Sequence, residues 1–132
     1  MKFSDAQQYL LSKPEATEDF PFGPDVNVYR VKNKMFATLA PARDSEHYWM
    51  NLKCDPQEAI MLRDIFDAVI PGYHMNKQNW NTIILDGSVP RGEIERMIDN
   101  SYALIVKSLK KVDRMQLELH YTNVELYGKN RN

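Results

Sequence analysis

A chain of 132 residues, 43% hydrophobic and 11% aromatic, carries enough apolar side chain for one core and too little length for two ordinary domains. Its formal net charge of −1 and pI of about 6.3 exclude the overall positive charge of a strong non-specific polyanion binder, so nucleic-acid contact would need a local basic patch. One cysteine, Cys54, excludes an intrachain disulfide and a Cys-based metal site.

A reducing, cytoplasmic setting is expected from that cysteine usage. The polar start Met1-Lys2-Phe3-Ser4-Asp5 and the lack of any long apolar run argue against secretion and membrane insertion.

Ser4 followed by Gln7 predicts a capped first helix that Pro14 stops. The segment around Phe22-Gly23, with Pro21 and Pro24 on either side, predicts an ordered loop. Residues 26–31 and 35–40 are rich in β-formers and are separated by Lys32-Asn33-Lys34, which predicts a hairpin. A third strand is expected over 47–53, with Tyr48, Met50 and Leu52 on one face and Trp49, Asn51 and Lys53 on the other. Asp55-Pro56-Gln57-Glu58 reads as a helix start, and the spacing of Ala59, Leu62, Phe66 and Val69 supplies its apolar face, with an end near Asp67. A strand over 80–85 stops at Asp86-Gly87, and a long helix is expected over 90–110.

The expected fold is α+β: a two-layer domain with an antiparallel sheet and helices packed on one face, in the order α-β-β-β-α-β(β)-α. Residues 1–111 form the domain in this reading. Residues 112–132 form an extension, where the alternating Met115, Leu117, Leu119 and Tyr121 leave open an extra strand before a flexible polar end.

Several ordered motifs now stand together: Pro21-Phe22-Gly23-Pro24, Lys34-Met35-Phe36-Ala37, Leu52-Lys53-Cys54-Asp55-Pro56, Pro71-Gly72-Tyr73-His74-Met75-Asn76-Lys77 and Trp80-Asn81-Thr82, followed by Asp86-Gly87-Ser88 and Ser101-Tyr102. In this order they resemble the MmcQ/YjbR-like family, over roughly residues 4–111. The resemblance implies a double-wing α+β fold akin in shape to frataxin-like and secretion-chaperone-like domains. It also implies a DNA-binding role that rests on that comparison of shape, and fold alone is a weak warrant for function. The motifs do not reach the tail beyond Lys111.

Three surfaces are candidates. Trp49, Asn51 and Lys53 either stack bases and hold phosphates or lie under the 20–24 loop. Arg30, Lys32 and Lys34 around the hairpin turn form either a basic wing or a solvated edge. Tyr73, His74, Asn76, Lys77 and Trp80 gather an imidazole, an amide, an ammonium and two aromatic rings in one connection, where they either bind or satisfy backbone groups. His47, His74 and His120 lack metal-ligand spacing, and no phosphate-binding glycine loop, nucleophile elbow or His-Glu-x-x-His motif is present.

A non-enzymatic role without cofactor or metal is therefore expected. The first reading is DNA binding, mainly to the phosphate backbone, through Arg30, Lys34, Lys53, His74, Lys77 and Trp80. The alternative is a protein-interaction or small-ligand module on the open sheet face, anchored by Tyr73, His74 and Trp80. An enzyme built on His74 and Cys54 would need those side chains in mutual reach.

Overall fold

The computed structural model of the protein describes residues 1–42 and 46–128. Eleven elements follow in order among the described residues: α1 (Phe3–Leu11), β1 (Thr17–Asp19), β2 (Asn27–Val31), β3 (Lys34–Pro41), β4 (Tyr48–Lys53), α2 (Pro56–Ile65), β5 (Val69–Pro71), β6 (Trp80–Ile84), α3 (Arg91–Lys107), α4 (Lys111–His120) and α5 (Asn123–Tyr127). The six strands form one antiparallel sheet in the order β1-β2-β3-β4-β6-β5. The α+β, helix-on-sheet expectation holds.

The β2–β3 hairpin closes through Lys32 and Asn33, both at positive φ (48° and 70°), the twist-matched two-residue turn that asparagine tolerates well. Asp55 caps α2 as its chemistry requires, accepting from the Gln57 and Glu58 amides at 3.2 and 3.3 Å. At α1 the expectation fails by two residues. Asp5 accepts from the Lys2 amide at 3.1 Å, so a carboxylate inside the first turn displaces Ser4 from the capping role.

Beneath the helices lie Tyr29, Val31, Ala37, Leu39, Met50, Leu52 and Ile83, with Ala6 and Leu10 of α1, Ala59 and Leu62 of α2, and Ile94, Ile98 and Tyr102 of α3. Ser101, fully buried on α3, stitches the sheet where β3 and β4 part. The register Ala37↔Leu52 makes Phe36 and Lys53 the next pair, and the Ser101 hydroxyl accepts from the Lys53 amide at 2.9 Å while donating to Phe36 O at 2.6 Å. Tyr102 beside it donates to Pro14 O at 2.7 Å and meets Phe36 edge-on. The Ser101-Tyr102 motif is thus a structural clasp.

Glu18 of β1 joins three elements. Its Oε2 accepts from Gln7 Nε2 at 2.9 Å, Asn27 Nδ2 at 3.1 Å and Tyr29 Oη at 2.7 Å. Burial pushes its pKa up, yet these donors together hold it below the ordinary carboxylate range.

The stretch expected to alternate as a strand is instead α4, which buries Leu117 and leaves Val112, Met115 and Leu119 exposed. Leu126 of α5 is also buried in the core. The helix expected over 90–110 stops at Lys107, where Ser108 caps it and a second helix starts at Lys111. The flexible end expected beyond residue 128 lies outside the described residues.

Candidate functional site

The strand register decides which side chains face away from the helices. Val28, Thr38, Asn51 and Thr82 stand in one row across the sheet, and Ala40, Trp49 and Ile84 in another. Side chains alternate along a strand, and Met50 and Leu52 face the core, so these rows belong to the open face.

Two loops rise over that face. The first leaves β5 at Pro71 and is fastened to the sheet by a closed set of hydrogen bonds. Asn51 Nδ2 donates to Tyr73 O at 3.2 Å, the Tyr73 amide donates to the Thr82 hydroxyl at 2.8 Å, and that hydroxyl donates to Asn51 Oδ1. Gly72 donates to Trp80 O at 2.9 Å. A Cβ on Gly72 would lie 2.8 Å from both Trp80 Cβ and Trp80 O, so the close approach requires glycine. Farther along, Arg63 of α2 donates to Lys77 O at 2.6 Å and to Asn81 Oδ1 at 2.8 Å, while Asn76 Oδ1 accepts from the Gln78 amide at 3.0 Å. Most of the polar groups in residues 71–82 therefore build the loop.

What the loop presents is aromatic. Trp49 and Tyr73 meet edge to face with centroids 5.3 Å apart, and the His74 ring lies 4.1 Å from that of Tyr73. His74 has φ of +59°, a left-handed backbone that costs about 1 kcal/mol for a residue with a side chain. The second loop brings Phe22 and Val26 to the opposite side, and Phe22 is 69% exposed.

Between the two loops is a cleft of about 500 Å³, floored by Thr38, Ala40 and Asn51 and padded by Met35 and Met75. This volume falls within the range of small-ligand sites. Among the described lining residues none is Asp, Glu, Lys or Arg. Thr38 is 7% exposed and its hydroxyl has no hydrogen-bond partner among the described residues. Trp49 Nε1 is also without such a partner, and it is shut off from solvent inside the wall.

The six residues expected to contact nucleic acid do not assemble in one place. His74 lines the cleft. Lys53 and Trp80 are cross-strand partners on the open face but outside the cleft, and the Lys53 ammonium has no partner among the described residues. Lys77 folds back so that its ammonium donates to Gly72 O at 3.0 Å. Around the hairpin, Arg30 pairs with Asp19 at 3.2 Å and Lys32 with Glu15 at 3.1 Å, while Lys34 reaches Ser108 Oγ at 3.0 Å at the carbonyl end of α3. Val26, Met35 and Thr38 are not among the candidates read from the sequence, and Phe22 enters that reading only as part of the 20–24 loop over the Trp49 face. The period of β3 would have put Thr38 beside Asn51 once the hairpin register was known.

Cys54 and His74 lie on opposite sides of the sheet. The cysteine is packed in the core under α2 and α3, and His74 lines the open-face cleft, so they form no catalytic pair. Burial, with Glu58 and Asp55 adding negative charge, pushes the Cys54 thiol up to about 11, which opposes thiolate chemistry. Among the described residues no group of three or more His, Cys, Asp or Glu is placed to hold a metal, and no helix is long and apolar enough to cross a membrane.

The chain is similar to known proteins in sequence and in overall fold. The YjbR family model matches residues 11–104. Protein YjbR of Escherichia coli K12 is 31% identical over 117 residues, spanning 89% of this chain and 98% of its own length. YbdF of E. coli O157:H7 is 30% identical over 112 residues, or 85% and 90% of the two chains. The crystal structure of Deinococcus radiodurans protein DR2400 superposes with a TM-score of 0.79 at 31% identity, covering 89% of this chain and 88% of that one. A Pseudomonas syringae protein gives 0.71 at 29% identity, covering 79% and 98%. The matched span contains the Phe22 loop, the Asn51–Thr82 clamp on Tyr73, the Gly72 close approach and the Ser101 clasp, and the chain belongs to the YjbR family.

Proposed function

We propose that the protein is a non-enzymatic binding module whose open-face cleft takes a small ligand. The observation that carries this reading is the cleft itself: a pre-formed space of about 500 Å³ with an aromatic wall and, in its floor, the nearly buried Thr38, whose hydroxyl has no partner among the described residues. Sites for small molecules combine apolar surface with a few placed polar groups in this way. Phe22, exposed at the rim, gains apolar burial when the cleft is filled.

The competing reading is DNA binding through phosphate contacts, with Arg30, Lys34, Lys53, His74, Lys77 and Trp80 as the contact set. The open-face position of Lys53, next to Trp80 and without an ion-pair partner among the described residues, favours it. Against it, the Arg30, Lys34 and Lys77 cations are already held by groups of the protein. Phosphate binding would have to displace these contacts, and few cations give little counterion release.

A fragment library screened by ligand-observed NMR, repeated on Thr38→Val, tests the proposal, alongside fluorescence anisotropy with labelled duplex and single-stranded DNA. Fragments that bind wild type and lose affinity with Thr38→Val support the cleft. DNA binding that weakens steeply with salt, without cleft-directed fragment hits, would replace this reading with the nucleic-acid one.

A further inference from the structure

We infer that the cleft selects an uncharged, flat heteroaromatic ligand that carries a hydrogen-bonding edge, of the chemical type of a lactam or a nucleobase without its phosphate. This rests on the small-ligand reading above and narrows it by three features of the walls.

The first is charge. The described lining residues include no acidic or basic side chain other than His74. An ionised ligand would leave water for a space in which no described lining residue carries a full opposite charge, which is unfavourable. A nucleotide, a carboxylic acid or a polyamine therefore fits poorly.

The second is shape. Trp49 and Tyr73 stand nearly perpendicular, at 86°, so one ring offers a face where the other offers an edge. Phe22 comes from the facing loop, and Met35 and Met75 are adaptable pads. A thin planar body can rest on an aromatic face and be covered by Phe22, whereas a branched aliphatic body uses neither surface well.

The third is the polar edge. Asn51 is held in place, because its carbonyl accepts from Thr82 and its amide donates to Tyr73 O, so it keeps at most one N–H and one lone pair for a ligand. Trp49 Nε1 is closed off. The groups with the most freedom are the Thr38 hydroxyl, which can donate or accept, and the His74 imidazole, for which no hydrogen bond is formed among the described residues. Thr38 is fixed on β3 and His74 on the clamped loop, so a ligand edge bearing an acceptor beside a donor can be met from both sides.

The test compares three flat bicyclic probes against the full chain by NMR titration: naphthalene, which has no polar edge; 2-quinolone, an uncharged lactam; and quinoline-2-carboxylate, an anion. The expected result is that 2-quinolone binds about tenfold tighter than either of the others, the gain of about one good hydrogen bond. Thr38→Val should remove most of that advantage while leaving naphthalene affinity within about twofold, since the side chains have the same shape. Equal affinity for naphthalene and 2-quinolone would overturn the polar-edge assignment and leave the small-ligand reading standing. Tightest binding by the anion would overturn the charge argument. Failure of all three probes to bind would remove the inference and count against the small-ligand reading as well.

Discussion

Ser101→Ala removes one oxygen from the interior and should cost far more stability than its size implies. The hydroxyl is spliced between the Lys53 amide and the Phe36 carbonyl, at 2.9 and 2.6 Å, in a fully buried position. Removing the hydroxyl and leaving only the alanine methyl deprives two backbone groups of this partner in the protein interior. A typical buried hydrogen bond is worth about 1 kcal/mol net, and an unsatisfied buried group costs about 1–3 kcal/mol; partial closure of the two strands recovers some of this. The expected loss is about 2–3 kcal/mol. Urea unfolding monitored by circular dichroism should show a lower midpoint with an unchanged slope, and exchange of the Lys53 amide should accelerate. A loss below about 0.5 kcal/mol, the size of an ordinary surface change, would mean that β3 and β4 zip together directly and that the clasp is dispensable.

Other substitutions read different parts of the structure. Gly72→Ala places a methyl 2.8 Å from Trp80 Cβ and backbone oxygen, so it should destabilise by about 1–3 kcal/mol and shift the Tyr73 and His74 amide resonances. Glu18→Gln should flatten the acid limb of the stability profile. The folded-state pKa of Glu18 is depressed by Gln7, Tyr29 and Asn27, so its contribution is present above the unfolded value of about 4.3 and is lost as pH falls through the folded value; an unchanged acid limb in Glu18→Gln would contradict the cluster. Native Cys54, with its thiol pushed up to about 11, should resist iodoacetamide at pH 8 and react quickly in urea, as mass spectrometry would show.

The parts of the fold that sequence reveals are those set by neighbours in the chain. Lys32-Asn33 makes its turn from residues at hand, and Asp55 caps α2 from one position before it. Strands β1 and β5, three residues each, carry too little local pattern to be seen and exist because β2 and β6 pair with them. In α4, apolar residues on the outward face beside one inward Leu117 imitate the alternation of a strand.

The candidate site divides in the same way. Alternation along β4 puts Trp49 and Asn51 on the open face, and the dense polarity of residues 71–82 marks that loop. Nothing local shows that Lys77 turns inward to Gly72 or that Arg30 meets Asp19, because both arrangements depend on the folded backbone. Phe22 joins Thr38 across the cleft only after the sheet brings distant segments together.

Amide and indole resonances of the full chain, followed while 2-quinolone is titrated in, test the central claim most directly. Saturable shifts concentrated at Thr38, Trp49, Tyr73 and His74, with Arg30, Lys34 and Lys53 unmoved, are the predicted result. Shifts confined to Lys53, Trp80 and the hairpin on addition of a DNA duplex, with none in the cleft on addition of 2-quinolone, would contradict it.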